Sequence, residues 1–325
     1  MTMPPAPPAS TPPARKKGDG RDVLEFFTEP TFRPGIDWKD VLNRQHCHYI
    51  GKTCAKRRKS DNSIVIGTCT VTFDVKAPKP LIICPFRFLE RKQVFMDCIG
   101  LLTRRATGDE LHVVSEVTIP GGSVDYCLVA VRKGRVVDFV GIELQAVDTT
   151  GSVWPTRQRF LNSHGLAERV EDDGYGMNWK MSAKTILVQL HHKVETFEHV
   201  GRHFVLVVQN HFLDQMIGSF SFDHIGPAKV GDTMHFHSYS LVKGEMDYRL
   251  EFDRALSTDS QGVQKCLGVA AEAKVEEAEI IRILEEKIRI AIGSKLLTVT
   301  TGPGVSGNDE EAIPEVHNKP GLLEE

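Results

Sequence analysis

The chain has 325 residues, 41% apolar and 26% charged, with a net charge of −3. That is ordinary globular composition, enough for one large core or two modest ones. No apolar run reaches the roughly eighteen residues a spanning helix needs, so no membrane helix is expected, and the overall charge carries no nucleic-acid signature.

Residues 1–20, MTMPPAPPASTPPARKKGDG, are Pro-rich and lack an apolar core. They are expected to be a disordered arm rather than a secretory signal. Without a signal, the seven cysteines are expected to be reduced and the setting cytoplasmic.

Residues 36–85 are rich in Cys, Gly and Lys and contain short β-like runs such as SIVIGTCTVTFDV. Charge is uneven along the chain. Residues 41–105 hold thirteen Lys/Arg against four Asp/Glu, and residues 271–325 hold six against twelve. A basic front and an acidic back fit a face that meets a polyanion, and equally a solvated charge run. Cys47, Cys54, Cys69 and Cys84 fall at C-x6-C-x14-C-x14-C. Lacking tight C-x2-C pairs, this spacing fits four-thiolate ligation and buried free cysteines alike. A tetrahedral site of four thiolates would suit zinc or iron. Cys98, Cys127 and Cys266 read as core residues.

The segment 86–105 places Phe88, Leu89, Phe95, Ile99 and Leu102 at helical spacing. Three strand-like runs follow, at 111–119, 123–132 and 136–146, then a Gly/Pro-containing loop, DTTGSVWPTRQ. A helix is expected over 182–198, with Ser182 as N-cap and Ile186, Leu187, Leu190, Val194 and Phe197 on one stripe. The apolar run 203–209 is a strand; 233–242 and 247–253 read as a further hairpin, and 271–292 as a long helix. Residues 302–325 are an acidic tail, expected to be disordered. The organisation is thus an arm, a Cys-rich segment over 36–85, a core over 86–255, a helical element over 256–301 and a tail. Helix, three-strand meander, helix, strand makes a mixed α/β sandwich.

Two carboxylates interrupt that core. In GGSVDYCLVAVRKGRVVDFVGIELQ, alternation puts Asp125 on one face with Cys127 and Val129. It puts Phe139, Gly141, Glu143 and Gln145 on one face of the next strand. Val140, Ile142 and Leu144 take the other. A hairpin through Lys133-Gly134 brings Asp125 and Glu143 near opposition. Two buried carboxylates so close require a cation between them or an ion pair to each. Mg²⁺ takes about two carboxylates and retains waters. Gln145 could orient water or phosphate but carries no charge. Glu116, nine residues before Asp125, is either a third carboxylate or a surface residue. His235 and His237 read as half-buried histidines. No phosphate-binding loop of the G-x-x-x-x-G-K-[ST] type and no Gly-x-Ser-x-Gly elbow occurs.

An Asp in one strand followed by Glu-x-Gln in the next resembles the PD-(D/E)xK nuclease fold. The longer text, with VDY, DFVGIELQ and DTTGSVWPTRQ, resembles the NotI-type restriction endonucleases over roughly residues 36–255. That family has Gln where most relatives have Lys. The resemblance implies a type II restriction endonuclease that cleaves double-stranded DNA, with Asp125, Glu143 and Gln145 catalytic and Mg²⁺ as cofactor. It also implies a four-cysteine site at Cys47, Cys54, Cys69 and Cys84 holding iron, a long GC-rich target, 5′-phosphate ends, a homodimer and a cognate DNA methyltransferase. Lys52, Lys56, Arg57, Arg58 and Lys59 in the Cys segment, and Arg157 and Arg159 after the catalytic strand, are the candidate DNA contacts. Two other readings stay open. One is a PD-(D/E)xK nuclease of low specificity in repair or defence. The other is a non-catalytic, metal-stapled DNA-binding module.

Overall fold

The computed structural model describes residues 22–73, 78–168, 174–267 and 277–290. The expected arm and acidic tail lie outside these residues.

The Cys-rich segment is built on a four-stranded antiparallel sheet of β1 (Val23–Phe26), β2 (Glu29–Pro30), β3 (Thr68–Phe73) and β4 (Lys79–Ile82), in the order β2-β1-β3-β4. Helix α1 (Trp38–Arg44) starts where Asp37 caps the Lys39 and Asp40 amides. Two short hairpins follow, pairing His46–Cys47 with Lys52–Thr53 and Arg57–Arg58 with Asp61–Val65. Phe26, Phe27, Trp38, Val41, Val65 and Leu161 form the apolar centre of this part.

A single mixed sheet of seven strands carries the rest. In chain order these are β5 (Glu110–Ile119), β6 (Gly122–Arg132), β7 (Arg135–Gln145), β8 (His203–Gln209), β9 (Gly226–Pro227), β10 (Met234–Lys243) and β11 (Tyr248–Thr258). Their spatial order is β9-β11-β10-β8-β7-β6-β5. β5, β6 and β7 are the antiparallel meander read from the sequence. β8 then joins β7 in parallel, and β10 joins β8 in parallel. Parallel joining needs a crossover, and α4 (Trp179–His199) supplies it between β7 and β8.

Both faces of the sheet are covered. One carries Val124, Cys127, Val129, Phe139, Phe204 and Leu206 against the apolar stripe of α4 and against α5 (Asn210–Ser219). The opposite face carries Leu128, Val140, Ile142, Leu144, Val205 and Val207 beneath the 86–102 segment. Gly141 lets α4 come close: a Cβ there would sit 2.4 Å from the Phe197 ring.

Several expected elements change. The single helix over 86–105 is instead a 3-10 segment (Pro85–Lys92), a short α2 (Gln93–Asp97) and a second 3-10 turn (Ile99–Leu101). Arg91 and Lys92 take left-handed conformations between the first two. The reason is tertiary. Arg87 is fully buried and donates to Glu25, Glu90 and the Tyr248 carbonyl, and Glu90 accepts from the Leu250 amide. These bonds compete with helical continuity. α4 begins at Trp179, three residues before the expected cap, and Ser182 is a buried helix residue. The DTTGSVWPTRQ loop contains a strand, Thr149–Gly151, and the start of α3 (Trp154–Ser163). α6 (Ser260–Leu267) lies within the helical element expected over 256–301, as a separate helix ahead of the 271–292 one. Of the expected 271–292 helix, Glu277–Ile290 is described, as α7.

The two sheets are tied by buried polar bonds. The Ile82 amide donates to Gln209 Oε1 at 2.9 Å, Gln209 Nε2 donates to the Pro80 carbonyl, and the Tyr175 hydroxyl donates to the Thr72 carbonyl. Arg87 with Glu25 is the strongest of these ties, at 2.8 Å between two buried side chains. Burial pushes the Glu25 carboxyl up, and Arg87 is the main group pulling it back. Arg87→Ala strands that carboxylate, and we expect a loss of about 3–5 kcal/mol in chemical denaturation. A loss within the scatter of surface substitutions contradicts this.

Candidate active site

The carboxylates meet where a strand ladder ends. β6 and β7 pair from Arg132–Arg135 to Tyr126–Ile142, and the next step would pair Asp125 with Glu143. There the ladder stops, and Asp125 Oδ2 accepts the Leu144 amide at 2.9 Å. The side chain thus takes the place of a backbone carbonyl, which fixes the carboxylate against β7. On the other edge of β6, Val124 pairs with Val117 and Tyr126 with Ser115, so Glu116 falls beside Asp125. Glu116 is exposed, with a positive φ of 53° that interrupts β5. Its carboxylate lies close enough to push the Asp125 pKa up.

Alternation holds for β7. Glu143 faces the α4 side, while Ile142 and Leu144 pack into the opposite core. Glu143 is 9% exposed, and its Oε1 accepts from Lys193 Nζ of α4 at 2.8 Å. Its Oε2 is buried with no hydrogen-bond partner. Burial raises the Glu143 carboxyl to about 7, with Asp125 adding to the rise and Lys193 opposing it. Asp125 is also raised, chiefly by burial; the Leu144 amide and Lys193 pull it down. A raised pair with an orphaned buried oxygen is the electrostatic condition a divalent cation relieves. The donor set, carboxylate oxygens beside a polar rim, fits a hard cation. Gln145 is half-buried at the end of β7, and its amide donates to the Ala146 carbonyl at 2.6 Å.

Sequence reasoning missed Lys193. A signal existed: 186, 190, 193 and 197 share one helical stripe, and a lysine on an apolar stripe needs a buried partner. Reading α4 only for its apolar members passed over it. α4 also brings donor atoms of His191, His192 and Glu195 within 4.8 Å of one another, the one such grouping among the described residues.

The four cysteines come from separate pieces of the N-terminal part and are all buried. Cys47 lies in a hairpin opposite Lys52, and the Cys54 amide returns to the Gln45 carbonyl. Cys69 lies in β3, and the Ile83 amide bonds its carbonyl, drawing the Cys84 strand alongside. Burial raises the thiols of Cys47, Cys69 and Cys84. Cys54 adds to the rise at Cys47, and Cys84 and Cys47 to that at Cys69. Cys54 and Cys47 add to the rise at Cys84. The four sulfurs therefore share one neighbourhood, although no three approach within 4.8 Å. Four buried thiols beside Lys56, which lowers Cys84, suit a soft cation.

The basic residues divide. Lys52, Arg57 and Lys59 are exposed. Lys56 is half-buried and donates to the Ile83 carbonyl at 2.7 Å. Arg58, also half-buried, stacks on Trp154 of α3 at 4.3 Å. Arg157 departs from the expected phosphate contact. It is 4% exposed and donates to the carbonyls of Val65 and Ile66 and to Gln158. Burial, with Arg58 nearby, lowers it to about 10. Its guanidinium joins α3 to the Cys segment. Arg159 is half-buried on α3. His235 and His237 are more buried than expected, and burial lowers both to about 4.

A carboxylate pair, a lysine and a glutamine thus gather at the end of strands in a helix-covered mixed sheet, an arrangement that fits a hydrolytic centre. The family model described as restriction endonuclease NotI matches residues 39–234, and the chain belongs to that family. It is a type II restriction endonuclease, a hydrolytic, site-specific deoxyribonuclease acting on double-stranded DNA, and its family points to a divalent metal cofactor such as Mg²⁺. No curated protein matches the chain. No helix among the described residues is long and apolar enough to cross a membrane.

Proposed function

We propose that the 86–255 region is a PD-(D/E)xK nuclease core in its Glu-x-Gln form, cleaving each strand of a specific duplex site at Asp125 and Glu143. The observation that carries this is the end of the β6–β7 ladder. There Asp125 and Glu143 stand at the next register step, both raised, with one Glu143 oxygen unpartnered.

Asp125 and Glu143 would hold Mg²⁺. When bound, such an ion supplies Lewis-acid polarisation of a phosphodiester and acidification of water. Asp125 is locked by the Leu144 amide, so its free edge is aimed before substrate arrives. Gln145 positions water or a phosphate oxygen once its amide leaves the Ala146 carbonyl. Hydrolysis adds water across the P–O3′ bond, leaving a 5′-phosphate and a 3′-hydroxyl. Glu116 acts from the rim as a further negative charge on Asp125.

Residues 36–85 read DNA from a four-cysteine knob holding iron or zinc through Cys47, Cys54, Cys69 and Cys84. Exposed Lys52, Arg57 and Lys59 are its foremost contacts; Lys56 and Arg58 brace it, and Arg157 anchors it to α3. Arg159 remains a candidate phosphate contact. Cutting both strands of a palindrome calls for two centres related by a two-fold axis, hence a homodimer. A cognate methyltransferase would protect host DNA. Digestion of unmethylated genomic DNA with Mg²⁺, followed by sequencing of the ends, is expected to give discrete fragments sharing one motif and bearing 5′-phosphates. A smear of unrelated ends removes the specificity, and intact DNA removes the catalytic reading.

A further inference from the structure

Gln145 leaves the site without the positive charge that phosphate cleavage calls for, and its amide is turned to the backbone. The charge is present, but it comes from a helix. Lys193 Nζ lies 2.8 Å from Glu143 Oε1, with side chains only 8% and 12% exposed. Stability alone does not account for this pair, because a packed apolar pair in its place is often neutral or stabilising.

The surroundings are shaped to bring it there. The turn between β5 and β6, which leads into Asp125, lies directly on this part of α4. Thr196 Oγ1 donates to the Pro120 carbonyl at 3.0 Å. Gly121 has a φ of 95°, and a Cβ on it would lie 3.0 Å from the His192 carbonyl oxygen. A Cβ on Gly122 would lie 3.4 Å from Lys193 Cε. A side chain at Gly121 would press on the helix backbone and lift the turn from it, whereas one at Gly122 would only touch the flexible Lys193 stem. Gly121 thus lets the turn seat against α4 beside Lys193.

Resting on the cleavage site proposed at Asp125 and Glu143, we infer that Lys193 is a positioning residue of that site. It holds Glu143 aimed while no divalent cation is bound, gives that carboxylate up when one binds, and then faces the phosphate. The local charge supports an exchange rather than a fixed bridge. Lys193 acts on both Asp125 and Glu143. It also satisfies just one Glu143 oxygen. Glu116 of β5 adds a third carboxylate. Lys287 of α7 is held at the outer side, on the Glu116 carbonyl. Three acidic groups against Lys193 and Lys287 leave the cluster short of positive charge, the condition under which a divalent ion competes with an ammonium for Glu143.

Lys193→Gln separates the roles, since its amide can still donate to Glu143 but brings no charge. Lys193→Arg keeps the charge. Mg²⁺ is titrated into the whole chain without DNA, followed by thermal melting, and cleavage is measured at saturating Mg²⁺. Lys193→Gln is expected to bind Mg²⁺ about tenfold more tightly, because a repelling charge has gone. Its kcat falls about 100-fold with KM little changed, a scale typical of a lost positioning or electrostatic contact. Lys193→Arg, which keeps the charge, is expected to retain wild-type Mg²⁺ affinity and most of the kcat. A purely structural lysine would change stability without tightening Mg²⁺ and without Arg rescuing what Gln loses. Wild-type Mg²⁺ affinity together with wild-type kcat in Lys193→Gln overturns the inference. If that variant does not fold, Lys193→Met, which keeps the stem volume, is scored by the same two readouts. Asp125→Asn runs alongside. If it cleaves normally, the site reading itself falls; if it is dead while Lys193→Gln is normal, only the role of Lys193 falls.

Discussion

Asp125→Asn and Glu143→Gln are each expected to lower cleavage by about three orders of magnitude, the several kcal/mol that a lost cation site is worth at about 1.36 kcal/mol per tenfold, while duplex binding persists. The same pair makes a second, activity-free observable. Both carboxyls have raised values in the folded chain, chiefly through burial. A carboxyl raised by folding favours its protonated form there. Its ionisation therefore costs stability as pH climbs from the ordinary 4.5 through the folded value of about 7 for Glu143. Without divalent ions the melting temperature is expected to fall across that window. Mg²⁺ should restore it, by about 2.7 kcal/mol at roughly one hundred times the dissociation constant. The restoration is larger near pH ~8 than near pH ~5 and shrinks in both variants. Equal melting of wild type and Asp125→Asn at every Mg²⁺ concentration contradicts the carboxylate site.

Removal of the ion proposed for the four-cysteine knob is expected to be the other large effect. Cys47 and Cys54 belong to the small apolar centre of the N-terminal part, and all four thiols are buried. Structural zinc in small metal-stapled modules is worth about 10–16 kcal/mol in apparent binding free energy. The purified chain is expected to contain one iron or zinc ion. A chelator, or Cys69→Ser, should abolish site-specific binding and melt the N-terminal part. The seven-stranded sheet rests on two larger cores, to which the N-terminal part adds only Val71, Leu81, Ile82 and Ile83 among the buried residues, and should keep most of its far-ultraviolet signal. Elemental analysis with neither metal at one per chain removes the thiolate centre. Full specific binding by Cys69→Ser separates the ion from DNA reading.

Periodicity made much of the core legible. The meander, the α4 stripe and the apolar β8 run are local patterns of period 2 or 3.6, and burial follows them. That Asp125 and Glu143 stand near one another was legible from the short loop, but the step itself is set by a bulge between Ala130 and Val131; the turn register, Arg132 with Arg135, would otherwise put Asp125 opposite Ile142. The 86–102 break was not, because its cause is Arg87 reaching Glu25 and Tyr248, far away in the chain. Arg157 looked like a surface cation for the same reason. Its partners, Val65 and Ile66, lie about ninety residues earlier.

The amino-acid order alone determined which faces are apolar, where the two carboxylates stand in their strands, and the family to which the chain belongs. Only the tertiary structure decided that Lys193 meets Glu143, that Arg157 is sealed inside, and that four scattered cysteines share one neighbourhood. Side-chain alternation is a property of neighbouring residues. A buried charge is assigned its partner by the packing of distant segments, where desolvation leaves it no alternative to the group that folding puts beside it.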